Sequence, residues 1–362
     1  MAHVLSAERL FRHPLRLAAD ELVRRLAGDW QLADRLPALD PQALAAGHAL
    51  VSPDELAPLT HLLAAARHLA ELERLLPGAP GRQLVEDAYP ACAAPVPELL
   101  SRAEVTAVAS SLISTEAIDA LRTAARRVLR EADASFSELA DAGFPGCLRI
   151  WEVGRGVIAP LLRAQGRVAV LLVDAMRADL WLRLRGPLAE ALTGRTLAEA
   201  WAVVPEPTRT AEAVAALYLG RAVPAGSAPA SPAELGMPFA HLGVEARAVV
   251  GVDRDRGAPE LRELWANGPN ISVAVATGVD EALHRSTTGL SELLDAAVGL
   301  LHRRVLPTLS ALPATVPLVV TADHGFRENP SWGRGPGSRY AHGGRSLEEC
   351  VVPVAVFGPA TP

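Results

Sequence analysis

The stretch Arg167–Leu180, RVAVLLVDAMRADL, decides the fold class. An unbroken apolar run, Val168–Val173, leads directly into Asp174 and then into a helical pattern. A strand that is apolar at every residue, not at every second one, is covered on both faces, as in parallel sheets packed under helices. The same grammar returns downstream in Ala248–Val252, Ile271–Ala276, Leu318–Val320 and Val351–Phe357, with helical stretches between them. These runs predict a doubly wound α/β domain over residues 146–362, with a mainly parallel sheet and helices on both faces.

Upstream the pattern is helical. Pro53–Leu76 and Thr115–Glu131 repeat apolar residues at intervals of three and four, with Arg and Glu on the opposite face. Between them, PGAPGR and the stretch Tyr89–Pro97 are expected to break the helices. Residues 1–145 therefore read as an all-α N-terminal module without a catalytic motif, suited to packing or to protein partners. The linker is placed at Ala142–Gly146, and Ala222–Pro238, rich in Pro, Ala, Ser and Gly, reads as a surface loop.

Composition narrows the function. The 362 residues leave room for two domains. Half are hydrophobic and 21% are charged, which argues against extensive disorder. A net charge of −6 supplies no global basic field for nucleic acid or a membrane surface. All 35 basic residues other than His are arginine, which in so Ala-, Leu- and Pro-rich a chain reflects codon bias more than phosphate recognition. Three isolated cysteines, Cys92, Cys147 and Cys350, make no disulfide framework. The amphipathic N-terminus lacks the apolar core of a signal peptide, and no apolar run approaches the roughly 18 residues of a membrane span. A soluble cytoplasmic protein with no membrane partner is expected.

The chemistry gathers at strand ends. Asp174 follows one strand, Asp323 and His324 follow another in VPLVVTADHGF, and Asp280 and His284 follow a third in ISVAVATGVDEALH. Asp280 and His284 have the i, i+4 spacing of one helical face. His342 lies in the glycine-flanked loop YAHGGRSLEECVVPV that leads into the last strand. Each has a bland reading alone: a turn-forming acid, a solvated helix face, a loop histidine. Together, three Asp and three His on the ligand-binding edge of one sheet suit two divalent cations, Zn²⁺ or Mn²⁺, better than one closed structural zinc. Such a pair clamps the attacking and leaving oxygens of a phosphoryl displacement. In PEPTRTAEAVAALYLG, Thr208 and Thr210 stand before a helix, as a nucleophile or as a helix cap. Arg177 and Arg209 are candidate phosphate contacts. The insert ENPSWGRGPGSRYAHGG, with Trp332, Arg334 and Arg339, reads as a loop, a lid or a stacking platform. His241 fits no ligand scheme.

This order of residues resembles the alkaline phosphatase superfamily, and VDAMR, TADHGF and HGGRSLEECVVPV are similar to the PglZ domain. PglZ domains occur in phage-resistance systems of the BREX and Pgl type and in some response regulators. The resemblance covers Val168 to Pro359. It implies an alkaline phosphatase-like fold and two metals, one served by Asp174, Thr210, Asp323 and His324, the other by Asp280, His284 and His342. It further implies that Thr210 is the nucleophile and that water resolves a phosphothreonine, although PEPTR departs from the commoner Pro-Ser-x-Thr and leaves Thr208 open. The activity implied is a metal-dependent phosphodiesterase acting on nucleotides or nucleic acid, in phage defence. The alternatives are a phosphomonoesterase and a non-catalytic, metal-stabilised assembly subunit of a defence complex. A sulfatase is disfavoured, because no cysteine lies near Thr210.

Overall fold

In the computed structural model the described residues are 2–35, 52–78, 81–110, 112–227, 238–254, 257–329 and 338–360. The chain forms two compact units, Met1–Ser135 and Phe136–Pro362. The division falls inside the helix Thr115–Asp141, ahead of the Ala142–Gly146 turn that the sequence suggests. Trp332 and Arg334, and most of the Ala222–Pro238 stretch, lie outside the described residues.

The first unit is helical. Its helix Pro53–Leu75 begins with a reciprocal cap: Ser52 Oγ accepts from the Glu55 amide at 3.3 Å, and Glu55 Oε2 accepts from the Ser52 amide at 2.8 Å. Leu62, Leu69 and Leu72 on one face of it are fully buried. The expected break at Tyr89–Pro97 does not occur. Leu84–Ala93 winds as a π-helix and runs into the helix Pro95–Ala109. The wide turn, in which the Ala94 amide donates to the Tyr89 carbonyl at 2.9 Å, accommodates Pro90 without stopping the helix. The three cysteines are free and buried, and no helix among the described residues is long and apolar enough to cross a membrane.

The second unit is built on a seven-stranded sheet in the order β1-β3-β9-β6-β2-β5-β4. The strands are β1 (Leu148–Arg149), β2 (Val168–Val173), β3 (Arg195–Val203), β4 (Ala246–Val250), β5 (Ile271–Ala276), β6 (Leu318–Thr321) and β9 (Val351–Ala360). A separate ribbon pairs β7 (Arg327–Glu328) with β8 (Tyr340–Ala341). Every residue of β2, β5 and β6 is buried, so both faces of the sheet centre are covered. β2 lies between β5 and β6 and is parallel to both. β9 runs antiparallel to β6 and β3, which makes the sheet mixed although mostly parallel.

The short apolar run Ala200–Val204 marks only the end of β3. Its sequence, RTLAEAWAV, is rich in helix formers and residues 196–200 are exposed, so its extended state comes from pairing with β9 along its length. β9 has a positional consequence for the site. Because it is antiparallel, the chain enters it at the same edge where β2, β5 and β6 end. His342 is thereby delivered to the carboxyl edge of the parallel strands.

Candidate metal centre

Asp174 is the first residue after β2, and its amide still donates to the Ala276 carbonyl of β5 at 2.9 Å. The next residue, Ala175, has φ 60°, a left-handed conformation unusual for a side-chain-bearing residue. That bend turns its amide onto Asp323 Oδ1 at 3.2 Å, and the His324 amide donates to the same oxygen at 3.0 Å. Asp323 Oδ1 is therefore saturated from the backbone, whereas Oδ2 is buried and accepts no hydrogen bond.

Histidine tautomers follow from their carbonyl partners. His324 Nδ1 lies 2.8 Å from the Gly325 carbonyl, which can only accept, so Nδ1 carries the hydrogen and Nε2 presents a lone pair. Nε2 faces Asp174 Oδ1 and Asp323 Oδ2, each at 3.5 Å. A glycine is required beside this histidine, because a Cβ at Gly325 would meet the Glu348 carbonyl oxygen at 2.0 Å. Asp174, Asp323 and His324 are all buried, and their ligand atoms lie within 4.8 Å of one another. Burial pushes the Asp174 carboxyl well above the usual carboxylate range, and the negative charges of Asp323 and Asp280 push it further. A cation among these oxygens would remove that penalty.

A second set adjoins the first. Asp280 Oδ1 lies 3.3 Å from His284 Nε2 and 3.4 Å from His342 Nε2, and the two imidazole nitrogens are 3.1 Å apart. His342 Nδ1 donates to the Thr208 carbonyl at 3.1 Å, so its Nε2 also presents a lone pair. Burial, followed by the neighbouring His324 ring, lowers the His342 pKa and favours the neutral, ligating form. Asp280 Oδ1 is buried and accepts no hydrogen bond, like Asp323 Oδ2. The sets meet edge to edge: His324 and His342 stack with ring centroids 4.2 Å apart, and Asp280, His324 and His342 themselves form a compact ligand group. Two orphaned carboxylate oxygens facing imidazole lone pairs fit a cation-binding site and have no counterpart in an ordinary hydrogen-bonded core.

Thr210 stands against this centre. It is the first residue of the helix Thr210–Leu219, and the N-cap position falls on Arg209. The threonine side chain does not cap the helix. Its Oγ1 lies 3.0 Å from His324 Nε2 and 3.5 Å from Asp174 Oδ1. Thr208 is committed elsewhere: fully buried, it donates to the Gly344 carbonyl and accepts from the Gly343 amide, both at 3.0 Å. Thr208 is thus the staple of the His342 loop. The first-turn amides of the helix precede its first internal bond, from Ala213 to the Arg209 carbonyl, and remain available to an anion.

The two arginines separate. Arg177 is 2% exposed, and its guanidinium is taken up by Asp179 at 2.5–3.1 Å, by Glu348 at 3.3 Å and by the Phe326 ring at 5.1 Å. That guanidinium braces the loop after β6 and has little capacity left for a phosphate. Arg209 is exposed and runs beside Gly343, next to His342. Arg339 pairs with Glu328 at 3.0 Å across the β7–β8 ribbon.

Several supporting residues carry no motif in the sequence. Asp253, 3% exposed, accepts from the Thr277 amide at 3.1 Å and the Gly278 amide at 2.7 Å, and so caps the six-residue helix that holds Asp280. An acid at the end of the apolar run Ala248–Val252, three residues past β4, is its only signal. Glu349, fully buried, accepts from the Gly344 and Ser346 amides at 2.8 and 3.2 Å and fixes the loop from the other side. Tyr218 shares a helix face with Thr210 and Val214, and with Asp174 and Asp323 they line a cavity of about 40 Å³. Burial raises the Tyr218 phenol far above its ordinary pKa, and the Asp323 charge adds to this.

No protein-family model matches this sequence, and no curated protein matches it.

Proposed function

We propose that residues 136–362 form a metal-dependent phosphoesterase with an alkaline phosphatase-like site of the PglZ kind, using Thr210 as nucleophile. The observation that supports this best is the position of Thr210 Oγ1, 3.0 Å from His324 Nε2 and beside Asp174, at the N-terminus of a helix. Asp174, Asp323 and His324 would hold one divalent cation, Zn²⁺ or Mn²⁺, with Thr210. Asp280, His284 and His342 would hold the other. When bound, the cations supply charge neutralisation and Lewis acidity to the phosphoryl oxygens.

The chain's own groups supply the rest. Thr210 is oriented by the start of its helix; His324 Nε2 would be committed to the cation, which leaves the Asp174 carboxylate, 3.5 Å from Oγ1, as the acceptor within reach of its proton. The phosphoryl group sits where the first-turn amides and the helix dipole favour negative charge. Attack by Oγ1 on phosphorus forms a phosphothreonine and expels the alcohol, and water hydrolyses that ester to restore the hydroxyl. Exposed Arg209, beside the His342 loop, is placed to contact a non-transferred oxygen. Diesters of nucleotides or nucleic acid, in a phage-defence setting, are the substrate class we favour on the resemblance to PglZ domains.

The test is hydrolysis of bis-p-nitrophenyl phosphate by the full chain with Mn²⁺ or Zn²⁺. Wild type should turn over and lose activity in EDTA, and Thr210→Ala should be inactive while binding the metal. Metal binding by a wild type that turns over neither this diester nor p-nitrophenyl phosphate would favour the assembly-subunit reading.

A further inference from the structure

At the other end of the helix Thr210–Leu219, past its last residue, lies a groove of about 540 Å³. Trp151, Glu152, Arg155, Gly156, Gly220 and Arg221 line it. From Thr210 to Gly220 the helix rises roughly 15 Å, so a molecule in the groove does not touch the cation ligands. The volume falls within the roughly 300–1,000 Å³ of small-ligand sites.

Its charge is unbalanced. Arg155 and Arg221 are exposed, and neither has an ion-pair or hydrogen-bond partner among the described residues. The one acid, Glu152, is spent on Arg149: its Oε1 accepts from the guanidinium at 3.1 Å and its Oε2 from the backbone amide at 2.9 Å. Two guanidinium groups are therefore left facing one space. The ring beside them is Trp151, half-buried, with the Arg149 guanidinium 5.9 Å from its centroid. Trp151 and Arg155 line the groove from two consecutive helical turns, Ile150–Glu152 and Gly154–Ile158.

The wall is bare backbone at two points. Gly220 ends the helix with φ 65°, a left-handed conformation that disfavours a side chain, and a Cβ there would press on the His241 ring, 2.5 Å from Nε2. Gly156 likewise leaves its peptide uncovered, with Leu148 Cδ1 at 3.9 Å the sole neighbour of a Cβ. Close backbone approach, an indole and two unpaired guanidinium groups together suit a planar ring that carries phosphate.

We infer that the Trp151–Arg155–Arg221 groove is a nucleotide-binding site, separate from the cation centre, that takes a base on Trp151 and its phosphates on Arg155 and Arg221. The ligand chemistry is shared by a free nucleoside phosphate and by a nucleotide of a single strand. The inference does not depend on the phosphoesterase reading, since it uses none of that centre's residues.

The experiment titrates the full chain, in excess EDTA so that no hydrolysis occurs, with ATP by calorimetry and with a labelled ten-residue oligothymidylate by anisotropy. Wild type, Trp151→Ala and the double variant Arg155→Glu/Arg221→Glu are compared, with circular dichroism melts as the folding control. Wild-type binding of ATP that falls tenfold or more in both variants supports a free nucleotide as ligand. The same loss with the oligonucleotide alone supports a strand. Binding of neither probe by wild type, or equal binding by all three proteins, overturns the assignment. Arg155→Lys/Arg221→Lys, which keeps the charge, recovers part of the affinity if the groove binds phosphate. Bis-p-nitrophenyl phosphate hydrolysis with Mn²⁺ reports on the cation centre separately, so failure of one reading is not mistaken for failure of the other.

Discussion

The two halves of the candidate cation centre are built differently. Asp174, Asp323 and His324 stand on the ends of central strands, at most 6% exposed, and backbone amides and a carbonyl set their orientation. Asp280, His284 and His342 stand on a six-residue helix and a loop, and the His284 side chain is 51% exposed. That half takes its shape from Asp253, Thr208 and Glu349, none of which would touch a cation. The strand-held half is stiffened by sheet packing, whereas the loop-held half is only as rigid as its supporting hydrogen bonds. The first should keep its cation when the second is damaged, and not the reverse.

The largest effect should come from the shared face of the two halves. Thr210→Ala and His324→Ala are each expected to lower diester hydrolysis by roughly three orders of magnitude or more, Thr210→Ala with a melting curve like wild type's and buried His324→Ala less stable but still folded. Wild-type rates in both variants would remove Thr210 from the chemistry altogether. Next, metal content should split the halves: Asp323→Ala leaves the protein without tightly bound cation, while His284→Ala retains one per chain. Retention of one cation by Asp323→Ala with none left in His284→Ala would reverse the ranking.

Support should matter more on the loop side. Asp253→Asn is expected to weaken the second cation by about 10- to 100-fold, while the first stays bound. Equal weakening of both would mean that Asp253 acts on the whole domain. A pH dependence follows from the strand side. The Asp174 pKa is raised by burial, so in EDTA it contributes stability that is full below the usual carboxylate range, about pH 4, and lost as pH rises towards the raised value. A bound cation takes the place of that proton. The melting-temperature gain from added Mn²⁺ should accordingly grow between about pH 5 and about pH 8, and a gain that shrinks over this range would contradict the coupling. The smallest effect is Thr208→Ser, which keeps the hydroxyl that ties Gly343 to Gly344 and should leave activity within a few-fold of wild type. Thr208→Val should cost about 1–3 kcal/mol of stability by stranding those groups.

Much of this was legible in the chain. Val168–Val173 and Ile271–Ala276 are strands over the residues their apolar runs mark, because a segment buried on both faces has to be apolar throughout. The carboxylates at their ends follow from the same grammar, and each candidate ligand lies in the cluster. Most of β3 was illegible, because RTLAEAWAV has no apolar period and owes its state to β9. The continuous winding through Pro90 was illegible for a related reason: a proline predicts a break unless a wider turn absorbs it.

The sequence by itself determined the chemistry available: three carboxylates, three imidazoles and a threonine placed beside strand and helix ends. Only the tertiary structure decided which of them meet, and how. The antiparallel course of β9 brings His342 to the edge where β2, β5 and β6 end. The fold also chose between two threonines two residues apart, turning Thr208 into a buried staple and Thr210 towards His324. Residue type fixes what a side chain is able to bind. Its partners depend on strand direction and loop closure, which come from pairings between segments far apart in the chain.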